Sequence, residues 1–235
     1  MIKTIIFLHG WGADGSAWQK QARAFQARFE VHAPAISAWD PAWLEAYLQK
    51  FSLADCLLVG WSLGGMLLLE VLARRLRAVG GLVLAGVAPV FCSRADHPWG
   101  QISAAVRAMR RVLKNNPKQV LQDFAGSCLA PGEEAFQGEI AALFPGDNGS
   151  DLAQGLDYLL NQDLRPLLPH LPTASEIIQG DRDRIVPPEQ ARFLHERLPG
   201  SSLHLLPAAG HLPFWTQEAR FNEILENIMG GGLEI

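Results

Sequence analysis

The fold is decided by residues 55–69, which read DCLLVGWSLGGMLLL. The apolar residues before Gly60 have the composition of a buried strand, and those after Gly65 have that of a buried helix. A glycine-rich turn between them carries one serine, Ser62, in the G-x-S-x-G pattern of a nucleophile elbow. Glycines let the strand and the helix approach closely while the serine occupies a strained turn. The pattern predicts a nucleophilic serine; the simpler alternative is a tight turn in which Ser62 only caps the helix.

Segments on both sides of this turn continue an alternation of strands and helices. Short apolar segments predict strands at 3–8, 29–32, 55–59, 81–87, 175–179 and 202–206. Helical patterns lie at 16–28, 41–51, 63–76, 188–198 and 217–228. This order predicts an α/β fold with a mostly parallel sheet of about six strands flanked by helices. The loops at the strand ends then lie along one edge of the sheet, where such folds bind ligands.

One interval, 96–170, interrupts the alternation because its sequence has no convincing strand pattern. Helical patterns lie near 101–115, 117–129, 133–144 and 150–161. We therefore expect a helical lid at 96–170, inserted into a core formed by residues 1–95 and 171–229. The tail at 230–235 is left out of the predicted fold.

The composition is that of an ordinary globular protein: of 235 residues, 49% are hydrophobic and 19% are charged. The net charge of -4 argues against general binding of nucleic acids. Cys56, Cys92 and Cys128 are too widely spaced to indicate a disulfide framework or a metal site. The apolar run at 56–69 is too short to span a bilayer, and the first strand begins too near Met1 to follow a removable leader. We expect a cytoplasmic monomer that needs no metal or cofactor and binds no membrane.

One of the seven histidines, His211, has the setting of a general base. It lies in the loop AAGHLPF at 208–214, directly after the last predicted strand, from which it can fold back over the elbow. A serine hydroxyl needs such a base to take its proton. We favour His211 because His204 lies within the last strand and the histidines elsewhere lack a comparable loop. The alternative is a buried, hydrogen-bonded loop histidine.

The loop at 180–187, GDRDRIVP, offers two acids that could orient this histidine. The order serine, acid, histidine is typical of sheets of this kind, and the acid follows the strand before the histidine loop. We favour Asp183, because the chain between it and His211 has room for one helix and one strand. Asp181 lies nearer the strand end and is the alternative; it could instead brace the loop or pair with a neighbouring arginine.

An oxyanion hole is expected where the loop after the first strand meets the elbow. That loop reads FLHGWG at 7–12. Two backbone N–H groups should converge on the developing charge, one from Leu63 and the other from Trp11. The alternative is a tight turn at His9-Gly10 in which His9 is only hydrogen-bonded inside the turn.

The first lid helix has two contrasting faces. Its apolar face carries Ile102, Val106, Met109 and Leu113. Its basic face carries Arg107, Arg110, Arg111 and Lys114, and Lys118 extends the basic stretch. No acidic residue occurs at 98–122. The basic face is either an ordinary solvated surface or a docking surface for an acidic partner.

Four motifs in one order, HGWG, GWSLGG, GDRDRIVP and AAGHLPF, resemble those of the α/β-hydrolases. Trp11, Trp61, the lid stretch at 98–124 and Asp163-Leu164-Arg165 are most similar to the pimeloyl-acyl carrier protein methyl ester esterases of biotin synthesis. The resemblance implies a Ser62–Asp183–His211 triad and an oxyanion hole from the Trp11 and Leu63 amides. It further implies that substrate contacts Trp11, Trp61, Met109 and Phe124.

The resemblance implies hydrolysis of the methyl ester of a pimeloyl group on acyl carrier protein, through an acyl-enzyme on Ser62. Two departures separate the chain from this family. The usual N-terminal antiparallel hairpin is absent, and Gln119 and Asp123 occur where the family has lid arginines that contact the carrier. The alternatives are a general short-chain carboxylesterase or thioesterase with the same triad, and a non-catalytic ligand-binding protein with this fold.

Overall fold

The computed structural model describes residues 1–75, 78–146 and 152–230, which form a six-stranded sheet covered by helices. The strands are β1 Thr4–Leu8, β2 Glu30–His32, β3 Cys56–Trp61, β4 Gly81–Ala85, β5 Ser175–Gly180 and β6 Ser202–Leu206. They are ordered β2-β1-β3-β4-β5-β6, and all five pairings are parallel. The predicted parallel sheet of six strands is therefore confirmed, and no pairing in the described sheet is antiparallel.

The sheet order changes direction at β1, which lies between β2 and β3. Open parallel sheets bind ligands at such a reversal, outside the carboxyl ends of the strands. Here Leu8, the last residue of β1, pairs with Gly60 near the end of β3. The loop that follows β1 and the turn that carries Ser62 consequently meet at this edge.

Helices cover both faces of the sheet because the central strands are apolar throughout. Every residue of β1, β3 and β4 is buried, as expected for parallel strands with both faces covered. The helices are α1 Gln19–Phe25, α2 Pro41–Leu48, α3 Leu63–Arg75, α4 Ser103–Leu113, α5 Pro117–Ser127, α6 Gln137–Ala142, α7 Leu152–Asn161, α8 Pro188–Arg197, α9 Pro213–Thr216 and α10 Glu218–Met229. No helix within the described ranges has the length and apolarity needed to cross a membrane.

Four of these helices, α4 to α7, lie between β4 and β5, in the interval predicted to be a lid. The described residues of this interval form no strand of the sheet. Asn116 begins α5 by accepting a hydrogen bond from the Gln119 amide, and Pro117 occupies the first position of the helix. The predicted start of α7 at residue 150 lies outside the described residues, as does the tail at 231–235. The domain boundaries at residues 95 and 171 stay a prediction.

The apolar face expected on α4 is confirmed except at Ile102. Val106 and Leu113 are buried and Met109 is half-buried, whereas Ile102 is 68% exposed. Ile102 precedes the helix and has extended backbone angles. It therefore does not follow the helical spacing that groups the other three side chains.

The two ends of the lid are joined by ion pairs. Arg165 bonds Asp163 at 2.7 Å and Asp96 at 3.0 Å, which links residues near the end and the start of the interval. The guanidinium of Arg165 lowers the pKa of Asp163 and Asp96. Leu164 between them donates its amide proton to the Pro89 carbonyl at 2.8 Å. These contacts explain why the Asp-Leu-Arg sequence stands where the lid rejoins the core.

Candidate active site

Ser62 lies in a sharp turn between β3 and α3 with a φ of 53°. Two close approaches make the turn possible. A Cβ on Gly60 would stand 2.5 Å from the Gly65 Cα, and a Cβ on Gly64 would stand 2.4 Å from the His9 carbonyl oxygen. No hydrogen bond within the described ranges involves the Ser62 hydroxyl, so the structure gives no support to a serine that only caps α3.

His211 and Asp183 are joined by a short hydrogen bond that is sealed from solvent. The His211 Nδ1 lies 2.7 Å from Asp183 Oδ2, and both side chains are fully buried. The other carboxylate oxygen, Oδ1, accepts the amide protons of Ile185 at 2.8 Å and Val186 at 2.9 Å. Because the carboxylate can only accept, Nδ1 carries the ring proton and Nε2 is the basic nitrogen.

The Nε2 atom of His211 is buried and has no hydrogen-bond partner within the part of the chain that the structure describes. Buried polar atoms without a partner are rare in native proteins, so each one is informative. The hydrogen bond from Nδ1 to Asp183 fixes the tautomer of the ring. Nε2 is then free to accept a proton from a neighbouring hydroxyl. The geometry is that of an imidazole ready to act as a base.

Asp181 does not contact His211. Its Oδ1 accepts the amide proton of Ala208 at 2.7 Å, at a residue with a φ of 57°. Asp181 thus braces the start of the loop that carries His211, a different loop from its own at 180–187. Of the two candidate acids, the structure brings only Asp183 to the imidazole.

The loop after β1 is held by His9. Its Nδ1 donates to the Gly10 carbonyl at 2.8 Å, and its Nε2 accepts the Ile36 amide proton at 2.9 Å. Burial lowers the pKa of His9 to about 4, so the ring is neutral near pH 7. Both ring nitrogens of His9 are therefore hydrogen-bonded, one within the turn and one to the main chain at Ile36. A Cβ on Gly10 would lie 3.1 Å from the Ser62 Cβ, so the loop after β1 packs directly against the turn that carries Ser62.

The two backbone amides expected to form an oxyanion hole have no partner in the described main chain. Within the described residues, the N–H groups of Trp11 and Leu63 have no backbone acceptor. Trp11 is fixed by its side chain, whose Nε1 donates to the Leu152 carbonyl at 2.8 Å. Its ring also contacts Phe124 edge-on at 5.1 Å between centroids. Lid residues thus hold the loop that presents the Trp11 amide.

Trp61 has a different position from the one expected. It is fully buried, so it offers no surface to a substrate in this conformation. Its Nε1 donates to the His211 carbonyl at 2.9 Å, and its ring packs against Phe214 at 5.1 Å. Trp61 therefore positions the main chain of His211 through a hydrogen bond to its carbonyl. The physical reason is its place inside β3, where every residue is buried.

Two residues near the pair were missed in the sequence. Gln179 donates its Nε2 to Asp183 Oδ2 at 2.9 Å and to the Val186 carbonyl at 2.9 Å. Gly86 follows β4 with a φ of 57°, and a Cβ there would lie 3.1 Å from the His211 ring. Two features of the sequence could have pointed to these residues. Gln179 is a polar residue at the end of the apolar strand β5, and Gly86 directly follows the apolar strand β4.

A cavity of about 360 Å³ lies between the lid helices α4 and α5. Met109 and Phe124 line it, and their role in substrate contact stays a prediction. Ile185, two residues after Asp183, lines it as well. Trp11 is absent from its walls but touches Phe124, so the loop after β1 lies next to the cavity.

One member of the predicted basic surface forms an ion pair with another lid helix. Arg110 forms a two-pronged ion pair with Asp157 on α7, at 2.5 and 2.7 Å. Such a pair joins two lid helices, so Arg110 is not a separate charge available for docking. The other members are exposed side chains, namely Arg107, Arg111, Lys114 and Lys118.

No thiol replaces the serine. Cys56, Cys92 and Cys128 are buried free cysteines, and burial raises the pKa of each. A thiol with a raised pKa is a poor nucleophile because the reactive form is the thiolate. Across residues 1–75, 78–146 and 152–230, no group of three or more His, Cys, Asp and Glu side chains could hold a metal ion.

The sequence profile described as the alpha/beta hydrolase family matches residues 5–224. Because this match spans most of the chain, the protein belongs to the α/β-hydrolase family. Two relatives are named pimeloyl-acyl-carrier-protein methyl ester esterase. The one from Chromobacterium violaceum is 30% identical over 232 residues, covering 92% of this chain and 90% of its own. The one from Aeromonas hydrophila is 27% identical over 243 residues, covering 96% and 95%.

Solved structures have the same fold. An esterase from Exiguobacterium antarcticum has a TM-score of 0.83 at 27% identity, covering 95% of this chain and 90% of that protein. A bromoperoxidase from Bacillus anthracis has a TM-score of 0.84 at 24% identity, covering 98% and 92%, and shows the fold alone. With the relatives above, these similarities make the chain a carboxylic ester hydrolase of the α/β-hydrolase family.

Proposed function

We propose that Ser62, His211 and Asp183 form the catalytic triad of this esterase. The observation that carries the proposal is the buried 2.7 Å hydrogen bond from His211 Nδ1 to Asp183 Oδ2, which leaves Nε2 as the open acceptor. The turn between β3 and α3 supports the proposal. Ser62 has a φ of 53°, the strained conformation that exposes the serine of a nucleophile elbow beyond the end of its strand. Asp183 holds the imidazole tautomer and stabilises the imidazolium that forms when Nε2 takes a proton.

The chemistry follows in two halves. His211 takes the proton of the Ser62 hydroxyl while Oγ bonds to the ester carbonyl carbon and the carbonyl electrons move to its oxygen. When this intermediate collapses, the bond to the alcohol breaks and the alcohol leaves with the proton from His211. A water molecule then gives a proton to His211 and its oxygen to the acyl carbon. The second collapse releases the acid and returns the proton to Ser62.

The amides of Trp11 and Leu63 stabilise the charge that develops on the carbonyl oxygen. Their N–H groups belong to the two loops that meet at the elbow, and the structure gives them no other backbone acceptor among its described residues. Each such donor is worth roughly 3 kcal/mol in a transition state. In this proposal the two amides, rather than a metal ion, stabilise the oxyanion.

For the natural substrate, we propose the methyl ester of a pimeloyl group attached to acyl carrier protein. The relatives named for this substrate support the proposal. The cavity between α4 and α5 also supports it, because Val106, Met109, Val120 and Phe124 give it an apolar wall suited to an acyl chain. The exposed basic residues Arg107 and Arg111 of α4 suit the acidic surface of a carrier. The cytoplasmic location and the monomeric state stay predictions from the sequence.

The triad is tested by the Ser62→Ala variant. It should lose hydrolysis of p-nitrophenyl butyrate and covalent labelling by a fluorophosphonate probe, because both reactions form a bond to the Ser62 Oγ in the proposed triad. The matched control is Ser37→Ala, which removes an exposed hydroxyl and should label and turn over normally. Turnover retained by Ser62→Ala would show that Ser62 is not the nucleophile.

The substrate is tested by comparing carrier-linked and free esters. We expect a higher kcat/KM for methyl pimeloyl on acyl carrier protein than for free dimethyl pimelate. Reversing the charge of Arg107 and Arg111 should raise KM about tenfold for the carrier-linked ester and leave turnover of p-nitrophenyl butyrate unchanged. Equal rates on short free esters, with no effect of charge reversal, would instead indicate a general short-chain carboxylesterase. Preference for the thioester bond would indicate a thioesterase.

A further inference from the structure

The loop that carries His211 is held by the lid through two consecutive backbone amides. The His211 N–H donates to the Cys128 carbonyl at 2.8 Å, just beyond the end of α5. The Gly210 N–H donates to the Glu133 carboxylate at 3.0 Å. Both acceptors belong to one short segment, residues 128–133, which we call the lid turn.

Glu133 is built into this turn and is not a surface acid. It is 6% exposed, and its Oε2 also accepts the Ala130 amide proton at 2.8 Å. Its Oε1 is buried without a partner among the described residues. A carboxylate is costly to bury, so its presence here calls for a role that an apolar side chain could not fill.

Gly210 shows how closely the lid turn and the histidine loop are fitted. A Cβ at this position would lie 2.4 Å from the Cys128 carbonyl oxygen and 2.7 Å from the Ala130 amide nitrogen. It would also stand 2.8 Å from Glu133 Oε2. Only glycine lets the loop approach the lid turn, and the approach is what brings the two amides within hydrogen-bond distance.

The carbonyl of His211 is held from the opposite side, where it accepts the Trp61 Nε1 proton at 2.9 Å. The main chain of His211 is thus clamped between the residue before the elbow serine and the lid turn. We infer that Glu133 is a positioning residue, which fixes the main chain before His211 through Gly210 and so ties the imidazole to the lid. The inference rests on the proposed role of His211 as the base.

The test compares Glu133→Ala with Glu133→Gln on p-nitrophenyl acetate, a substrate too small to need the lid cavity. The alanine variant frees the Gly210 amide, and kcat should fall about 100-fold, the usual cost of a misplaced catalytic group, with KM unchanged. The glutamine variant keeps an oxygen acceptor and should recover most of kcat. Glu133→Asp keeps the charge but shortens the reach, and it replaces the alanine variant if that variant does not fold.

The matched control is Glu134→Ala, in the next position of the chain. Glu134 is exposed, and its carboxylate accepts the Gly132 amide proton at 3.0 Å. Within the described residues it has no hydrogen bond to the histidine loop. This variant should turn over like the unmodified protein. A kcat unaffected by Glu133→Ala, or equal losses in the alanine and glutamine variants, would overturn the inference, as would a loss that appears in KM alone.

A second measurement separates this inference from the proposed function. The proton shared by His211 Nδ1 and Asp183 should give a far-downfield resonance in the NMR spectrum of the whole chain, whether or not the protein hydrolyses esters. We expect the resonance to broaden or disappear in Glu133→Ala and to persist in Glu133→Gln and Glu134→Ala. A resonance unchanged in Glu133→Ala would refute the positioning role even if Ser62 proved not to be a nucleophile.

Discussion

Replacing Asp183 with asparagine should abolish most turnover, because no orientation of the amide fits the site. If the amide nitrogen takes the place of Oδ2, it faces two donors, the Gln179 Nε2 at 2.9 Å and the His211 Nδ1 at 2.7 Å. The imidazole must then move its proton to Nε2, where it can no longer accept one from Ser62. If the amide nitrogen takes the place of Oδ1, it faces the two backbone amides that this oxygen accepts.

The expected loss in kcat is about four orders of magnitude, as in other triads whose histidine takes the wrong tautomer. This corresponds to about 5 kcal/mol of activation free energy. Stopped-flow hydrolysis of p-nitrophenyl butyrate measures it, with fluorophosphonate labelling as an independent record of Ser62 reactivity. Asp181→Asn is the matched control: asparagine keeps the Oδ1 oxygen that accepts the Ala208 amide proton, so kcat should be nearly unchanged. A loss of less than tenfold in Asp183→Asn, or an equal loss in Asp181→Asn, would refute the assignment of the acid.

Two further predictions concern glycine and histidine positions around the site. Gly86→Ala adds a Cβ 3.1 Å from the His211 ring at a φ of 57°, so kcat should fall about 100-fold and Tm should drop; an unchanged kcat would show that the ring has room to move. His9 has a pKa of about 4 in the fold against an ordinary 6.5. Its contribution to the unfolding free energy is therefore complete above pH 6.5 and decreases by about 3 kcal/mol as the pH falls to 4. Urea titrations at several pH values should show that His9→Gln loses this part of the pH dependence.

The sheet could be predicted from the sequence because its strands are short apolar runs bounded by turn residues. The last strand was predicted at 202–206 and is observed at Ser202–Leu206. The fourth was predicted two residues too long, at 81–87, because apolar character continues past the true end of the strand. The chain leaves the sheet at Gly86, whose φ of 57° no strand can contain.

Side-chain contacts between distant segments could not be predicted in the same way. Arg110 belongs to the basic face of α4 by helical spacing, but its partner Asp157 is 47 residues further along the chain. Trp61 stands beside the serine, which made a substrate contact plausible, yet its indole N–H donates to the His211 carbonyl, 150 residues further along the chain. Local patterns determine which element a residue occupies, whereas its partners depend on how the elements pack.

The lid therefore has two parts with different consequences for the reaction. Helices α4 and α5 line the cavity and carry the exposed basic residues, so changes there should alter KM and the choice of substrate. The lid turn at 128–133 accepts the two amides of the histidine loop, so changes there should alter kcat for every substrate. The lid turn is bonded directly to the main chain of His211. The sequence of α4 can therefore change without loss of kcat only if the contacts of the lid turn are kept. Exchanging α4, residues 103–113, for that of a relative should thus change specificity and preserve kcat, whereas exchanging residues 128–133 should reduce kcat unless the acceptor for Gly210 is restored.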